Sequence, residues 1–407
     1  MSPRKDAARL LKNYPYDRLG PMLGETRTSR EPLLLHVGEP KFEPPQSVQT
    51  IVSGHMASWS KYPQVRGVGS HREAIASWIC KRYGISPSAI DPERTVLPVF
   101  GSKEGLSFAI LAAVMRKAER LPEGVRPIVF IPNPLYHTMF GAVIMAGGDP
   151  VTLPLVAAHD FKLDITALNP ADLDRAAAIV VCSPNNPTAS VMTGSEIESV
   201  IRLARNHDFI ALFDEAYSEI YFDAAPASGL AIADKVFGTF ENVVISNSLS
   251  KRSGVPGLRG GFLAGDPTFV GTDIYLARAY IAPQTPLALQ DAQTALWLDE
   301  DHVDAYREKY RSLKNIADSC FTGVPGYVSP RASFFVWMDV GDGSAVARTL
   351  WQTEAIKALP GEIMSRPEPD GSYPGKSFIR LPLVYEADVM EEAFNRIASS
   401  LEKTRAA

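Results

Sequence analysis

The sequence predicts an α/β fold: a large unit with a mostly parallel sheet between helices, plus a smaller α+β unit. Three observations predict it. Through the middle of the chain, short β-rich apolar runs alternate with helical patterns, the signature of strands joined by crossover helices. Gly and Pro, 29 and 32 of 407 residues, punctuate the chain evenly, as in a loop-rich α/β protein. Toward the C-terminus the alternation gives way to long amphipathic helices flanking two isolated strand-like runs.

Taken in order, residues 95–100 are a strand-like run, followed by Gly101-Ser102 and a long apolar helix over 103–115. Residues 127–131 are β-rich and end in the turn Pro132-Asn133-Pro134; 136–146 read as a helix stopped by Gly147-Gly148. Residues 178–182 form a buried-strand run and 196–207 an amphipathic helix; 209–213, 242–246 and 261–264 are further strands. In the C-terminal part, 303–320 read as a charged amphipathic helix, 334–340 and 377–381 as strands, and 388–403 as the closing helix. The Pro-rich stretch up to about Pro45 is expected to pack back onto this part. The division expected is a large unit over 46–285 and a small one made of 1–45 and 286–407.

Composition excludes several classes. Apolar residues are 45% and charged residues 21%, which is globular usage and leaves no room for a disordered or collagen-like chain. A net charge of −5 provides no electrostatic reason to coat nucleic acid or an anionic membrane. No apolar run approaches the roughly 18 residues of a membrane span, and the first dozen residues mix charges without a leader's apolar region. Three unclustered cysteines and seven scattered histidines suggest neither a disulfide frame nor a metal site. The expectation is a soluble cytoplasmic protein.

In parallel sheets, ligands sit in the crevice at the carboxyl ends of the strands, so the polar residues after each strand come first. Gly101-Ser102-Lys103 opens a helix directly after a strand; it is an anion site, or Ser102 simply caps the helix. Ser183-Pro184-Asn185-Asn186-Pro187-Thr188 follows another strand, either as a plain turn or as a turn that presents an amide to a ligand. Asp214, at the end of 209–213, is costly to bury without a cation, unless it only caps the next helix; Tyr217 follows three residues later. Ser248, Ser250 and Lys251, with Arg259 eight residues on, make a basic surface loop or hold a phosphate beside a reactive amine.

In this order, each after a strand, these motifs resemble the fold-type-I pyridoxal-phosphate enzymes of the class I/II aminotransferase family. The resemblance runs from Val37-Gly38-Glu39-Pro40 to Phe378-Ile379-Arg380-Leu381. It implies pyridoxal 5′-phosphate as cofactor, with Lys251 supplying the amine that binds its aldehyde and later moving the substrate's Cα proton. Asp214 would keep the pyridine nitrogen protonated. Asn186 and Tyr217 would donate to the ring's phenolic oxygen, and Tyr136 would stack on the ring. The phosphate would be held by the backbone of Ser102 and Lys103, by Ser248, Ser250 and Arg259, and by Tyr62 from a neighbouring subunit, which implies a homodimer. Arg380 would take the substrate α-carboxylate, with Gly38 letting backbone approach it. The sequence departs from the family's usual Gly at Ala189 and at Ser333.

Several segments, among them Tyr14-Pro15-Tyr16-Asp17-Arg18-Leu19 and Val255-Pro256-Gly257-Leu258-Arg259, resemble the proteobacterial N-succinyl-diaminopimelate aminotransferases. That implies glutamate as donor, a succinylated 2-amino-6-oxo acid as acceptor, and a place in lysine and diaminopimelate synthesis. Both substrates end in a carboxylate, for which Arg331, Arg278, Arg66 and Lys41 are the candidate readers. The alternatives are an aspartate, alanine or aromatic aminotransferase, or a pyridoxal-phosphate β-lyase. An effector-sensing regulator of the same fold would carry a basic recognition helix ahead of residue 45, and none is legible. Gly371-Ser372-Tyr373-Pro374-Gly375-Lys376-Ser377 imitates a phosphate-binding loop, but its glycine spacing is one residue short and it reads as a turn.

Overall fold

A computed structural model describes residues 11–12, 14–166 and 168–406; residues 1–10, read above as lacking an apolar leader, lie outside them. Seven strands build the large sheet: β1 (Val96–Val99), β2 (Ile128–Asn133), β3 (Asp149–Pro154), β4 (Ala176–Cys182), β5 (Ile210–Asp214), β6 (Val243–Ser248) and β7 (Gly261–Gly265). Their order is β1-β7-β6-β5-β4-β2-β3. All neighbours are parallel except at β7, which runs antiparallel to both β1 and β6.

The central strands are buried along their whole length, because helices cover both faces. The side chains divide between the faces with the period of two that a strand imposes. Ile179, Val181, Ala211, Phe213, Val243 and Ile245 pack on one side with Trp78, Val200, Leu230 and Trp297. Val180, Cys182, Ile210, Leu212 and Val244 pack on the other with Leu106, Ile110, Met139 and Val143. The helix Gly194–Asn206 starts at a capping box, in which Thr193 accepts from the Glu196 N–H and Glu196 accepts from the Thr193 N–H.

A second sheet, β8 (Phe335–Asp339), β9 (Leu359–Pro360) and β10 (Phe378–Pro382), is antiparallel in the order β8-β10-β9. Its core takes in the helices Asp301–Phe321, Gly343–Glu354 and Ala387–Ala406 together with Leu19, Leu23, Leu35 and Phe42 from the N-terminal segment. That segment is tied down by backbone bonds from Leu33 N–H to the Ala355 carbonyl (2.9 Å) and from Lys41 N–H to the Val384 carbonyl (2.9 Å).

Two local readings change. Gly101, not Ser102, is the cap residue, and Ser102 is the first helical residue. Asp214 precedes a run of turns rather than a helix. The stretch 371–377 is the expected turn, bending at Gly371 (φ +82°) and turning over 374–377 into β10. Among the described residues no helix is long and apolar enough to cross a membrane, and no group of potential ligands gathers around a metal-sized space.

Candidate active site

Asp214 closes β5 at 4% exposure. Its carboxylate accepts one backbone N–H, from Ala216 at 3.3 Å, and makes no ion pair among the described residues. Burial pushes its pKa up to about 6. A lone carboxylate at a buried strand end is costly to ionise, and a cation placed opposite it would offset that cost. Its neighbour Glu215 differs: it accepts from the Tyr83 hydroxyl and the Gly229 N–H, both at 2.8 Å, and is satisfied within the fold.

Lys251 sits in the turn of helix after β6. Its Nζ donates to the Gly38 carbonyl and lies 5.2 Å from the Phe334 ring centre. Burial, then the positive charge of Arg380, lowers its pKa to about 8, with Glu39 opposing. Tyr217 is buried edge-on against Phe334 and Phe335, 5.5 Å from each ring centre, and burial holds its hydroxyl well above the usual range. It is therefore an O–H donor at neutral pH.

Arg380 enters from β10, which pairs with β8. Its Nη1 donates to Asn186 Oδ1 (2.9 Å) and its Nη2 to the His36 carbonyl (2.8 Å), while the guanidinium lies 4.3 Å from the Phe335 ring centre. Its Nε is buried without a partner. The Phe334–Phe335 pair, 4.6 Å between ring centres, is thus the hub on which Lys251, Tyr217 and Arg380 converge. Residue-type reasoning overlooked the hub, because two consecutive aromatics in a strand read simply as core.

The anion cradle is assembled from three segments. No side chain caps the helix Ser102–Ala118, so the first N–H groups face outward with the positive end of the helix dipole. Arg259 reaches across this helix start, donating to the Phe100 carbonyl (3.0 Å) and to the Pro256 carbonyl (2.8 Å). A Cβ on Gly101 (φ +84°) would fall 2.4 Å from Arg259 Nη2, so only glycine admits the guanidinium here. Ser248 Oγ accepts the Ser250 N–H (3.1 Å) and lies 3.0 Å from Ser250 Oγ. A Cβ on Gly261, which follows Arg259 and Gly260, would lie 3.3 Å from the Ser102 nitrogen, which brings the two segments together.

Tyr136 caps the helix His137–Ala146 and, with Lys103, lines an open cavity of about 610 Å³. Gly38 sits beneath the aromatic hub: a Cβ there would come 2.7 Å from the Phe335 ring. Tyr62 is 102% exposed and touches none of this.

Both departures at Ala189 and Ser333 have a physical reading. Their φ angles are +58° and +65°, in the left-handed region where glycine is the default. The backbone keeps the glycine conformation with a residue that strains it. Ser333 is fully buried, its N–H donating to the Ile220 carbonyl (2.8 Å).

The four candidates for the remote carboxylate are all engaged elsewhere. Arg278 is buried against Glu104 (3.1 Å). Arg66 donates to the Glu93 and Gly271 carbonyls and stacks on Tyr275 at 3.8 Å. Arg331 is 81% exposed and pairs with Asp223 at 3.3 Å, and Lys41 pairs with Glu39.

A buried carboxylate without an ion pair, an amine lowered toward neutrality, and an uncapped helix with an arginine across it suit a ligand that carries an aldehyde, a phosphate and a basic ring nitrogen. The chain belongs to the class I and II aminotransferase family, whose family model matches residues 30–397. It is 28% identical to an LL-diaminopimelate aminotransferase of Moorella thermoacetica, over 97% of both chains. It is 26% identical to aromatic-amino-acid aminotransferase 2 of Thermococcus litoralis, over 91% of this chain and 92% of that one. The crystal structure of an aminotransferase from Neisseria meningitidis Z2491 matches with a TM-score of 0.89 at 33% identity, covering 97% of this chain and 98% of the other. The cofactor of this family is pyridoxal 5′-phosphate, and the residues gathered here fit it.

Proposed function

We propose that the enzyme transfers an amino group between glutamate and a long 2-oxo acid that ends in a carboxylate, N-succinyl-2-amino-6-oxopimelate. The observation that carries this reading is the open cavity of about 610 Å³ lined by Tyr136 and Lys103 but not by Lys251 or Arg380: a substrate held at Arg380 that also reaches this cavity is longer than glutamate. The Moorella relative's name points to the same seven-carbon diamino diacid skeleton.

In this reading the bound cofactor supplies an electron sink for the bond broken at the substrate Cα. Asp214 would stay ionised and hold the positive charge of the pyridine nitrogen. Tyr217 and Asn186 would donate to the phenolic oxygen, while Ser102, Lys103, Ser248, Ser250 and Arg259 would hold the phosphate. Tyr136 would stack on the ring. Lys251 would supply the amine that holds the cofactor aldehyde and the base that moves the Cα proton. Arg380 would clamp the α-carboxylate beside Gly38.

Arg380→Lys tests the clamp. It loses the planar fork and is expected to lower kcat/KM by roughly 10²-fold for glutamate and the succinylated acid alike. A loss for only one of the two would show that Arg380 does not hold the carboxylate they share. Dependence on an added 2-oxo acid separates the reaction class: a β-lyase would release ammonia without it.

The same reading makes the active form a homodimer. Tyr62 is fully exposed, and Trp59, Tyr280 and Ile281 also lie open on the surface, as expected of residues that a second subunit covers. Mixing Tyr62→Ala and Lys251→Ala subunits should restore up to about a quarter of wild-type activity, since half of the dimers are mixed and each has one intact site. No recovery above the sum of the parents, or a monomeric mass in solution, would count against a composite site.

A further inference from the structure

The cavity beside Tyr136 contains an arginine that the resemblance assigned no role. Arg366 lines it together with Tyr14, Tyr16, Phe108 and Phe140. Its guanidinium lies 4.0 Å from the Phe140 ring centre and has no carboxylate partner among the described residues. The nearby Glu368 is directed elsewhere, accepting from Asn133 Nδ2 and Thr152 Oγ1.

The backbone of Arg366 is fixed to the large sheet. Asn133, the last residue of β2, donates from Nδ2 to the Arg366 carbonyl (2.9 Å) and accepts the Arg366 N–H at Oδ1 (2.9 Å). Asn133 lies three residues before Tyr136, so the arginine is indexed on the strand end that also positions the ring cover. His137 lies within the field of both Arg366 and Arg380, and these charges add to burial in lowering its pKa to about 4. It is neutral and does not compete for an anion.

We infer that Arg366 reads the remote carboxylate of the substrate while Arg380 takes the α-carboxylate. The inference rests on the reading above that the substrate is a long diacid. A guanidinium stacked on an aromatic ring is pre-oriented and keeps its N–H fork free for a carboxylate. Tyr14, Tyr16, Phe108 and Phe140 give that end of the cavity an apolar wall, against which a methylene chain can lie and beside which a charge pair is stronger than in open water.

The test compares two amino donors of equal length, 2-aminopimelate and its ω-monoamide, which differ only in the remote charge. With 2-oxoglutarate as acceptor, the wild-type holoenzyme should favour the diacid by roughly 10–100-fold in kcat/KM. Arg366→Gln should bring that ratio close to one. Arg366→Lys, which keeps the charge and loses the fork, should leave an intermediate ratio, and it carries the test if the glutamine variant does not fold. A merely structural arginine would lower both donors together and leave the ratio intact. If Arg366→Gln keeps the wild-type ratio, the assignment falls and the long-diacid reading stands. If the wild type itself shows no preference, or prefers an aromatic donor to both, the diacid reading falls and the assignment with it.

Discussion

Lys251→Ala is expected to abolish transamination, by roughly 10⁴-fold or more, since the proposed roles give one amine both the anchoring of the cofactor and the transfer of the Cα proton. Borohydride treatment of the wild-type holoenzyme should fix the cofactor on the peptide carrying Lys251; the variant should show no fixed adduct at any lysine. The environment of this amine adds a pH signature. Burial and Arg380 disfavour its charged form and lower its pKa to about 8. Only the neutral amine attacks an aldehyde, and at pH 7 a group at that value is about one-tenth neutral, against roughly one part in three thousand for an ordinary lysine. The rate at which cofactor-free enzyme takes up pyridoxal phosphate should therefore rise through neutral pH and level off above about 8. A plateau reached only near the ordinary lysine range would refute the perturbed amine, and an adduct persisting in Lys251→Ala would move the anchor to another lysine.

Asp214→Asn should cost roughly 10²–10³-fold or more in turnover, because the amide preserves shape but cannot hold a positive charge on the pyridine nitrogen. In the wild type, burial raises the carboxyl to about 6; a cation opposite it favours the ionised form. Cofactor affinity should therefore be held while Asp214 is ionised and weaken as pH falls through about 6. Asp214→Asn should bind more weakly at neutral pH and lose that dependence. Near-normal turnover, or an unchanged pH profile of cofactor binding, would remove the role.

The site was legible in the sequence to the extent that polar residues interrupted apolar runs. Asp214 and Ser248 end buried strands, and Asn186 and Lys251 follow such strands, so each stands where a continuous apolar run stops. What was hidden had no such contrast. β3, over Asp149–Pro154, was missed because it carries two prolines, which an edge strand tolerates and a sequence pattern punishes. The reversal at β7 was not visible, since pairing direction is set by distant partners. Arg66, Arg278, Arg331 and Lys41 looked available because charge is local information and its neutralisation is not: Arg278 meets Glu104 from 174 residues away. The hub of Phe334 and Phe335 was invisible for the opposite reason, its residues being ordinary core types. Arg366 was passed over because it lies between the two C-terminal strand-like runs, ahead of the turn at 371–377, in a stretch where no element was read.

The proposed clamp on the substrate carboxylate joins two ends of the chain. Arg380 is held by the carbonyl of His36, 344 residues earlier, whereas Asp214, Ser248, Lys251 and Arg259 fall within 46 residues of one another. On the ribosome, where synthesis runs at about 5–20 residues per second, the half of the site that grips the cofactor is made well before the half that grips the substrate. A nascent chain that has emerged through β7 carries the amine, the carboxylate and the phosphate cradle, while its N-terminal segment still waits for Arg380. Order of synthesis and order of use thus run the same way: every group proposed to hold the cofactor precedes the end of β7, and the arginine proposed to select the substrate lies on β10, the last strand.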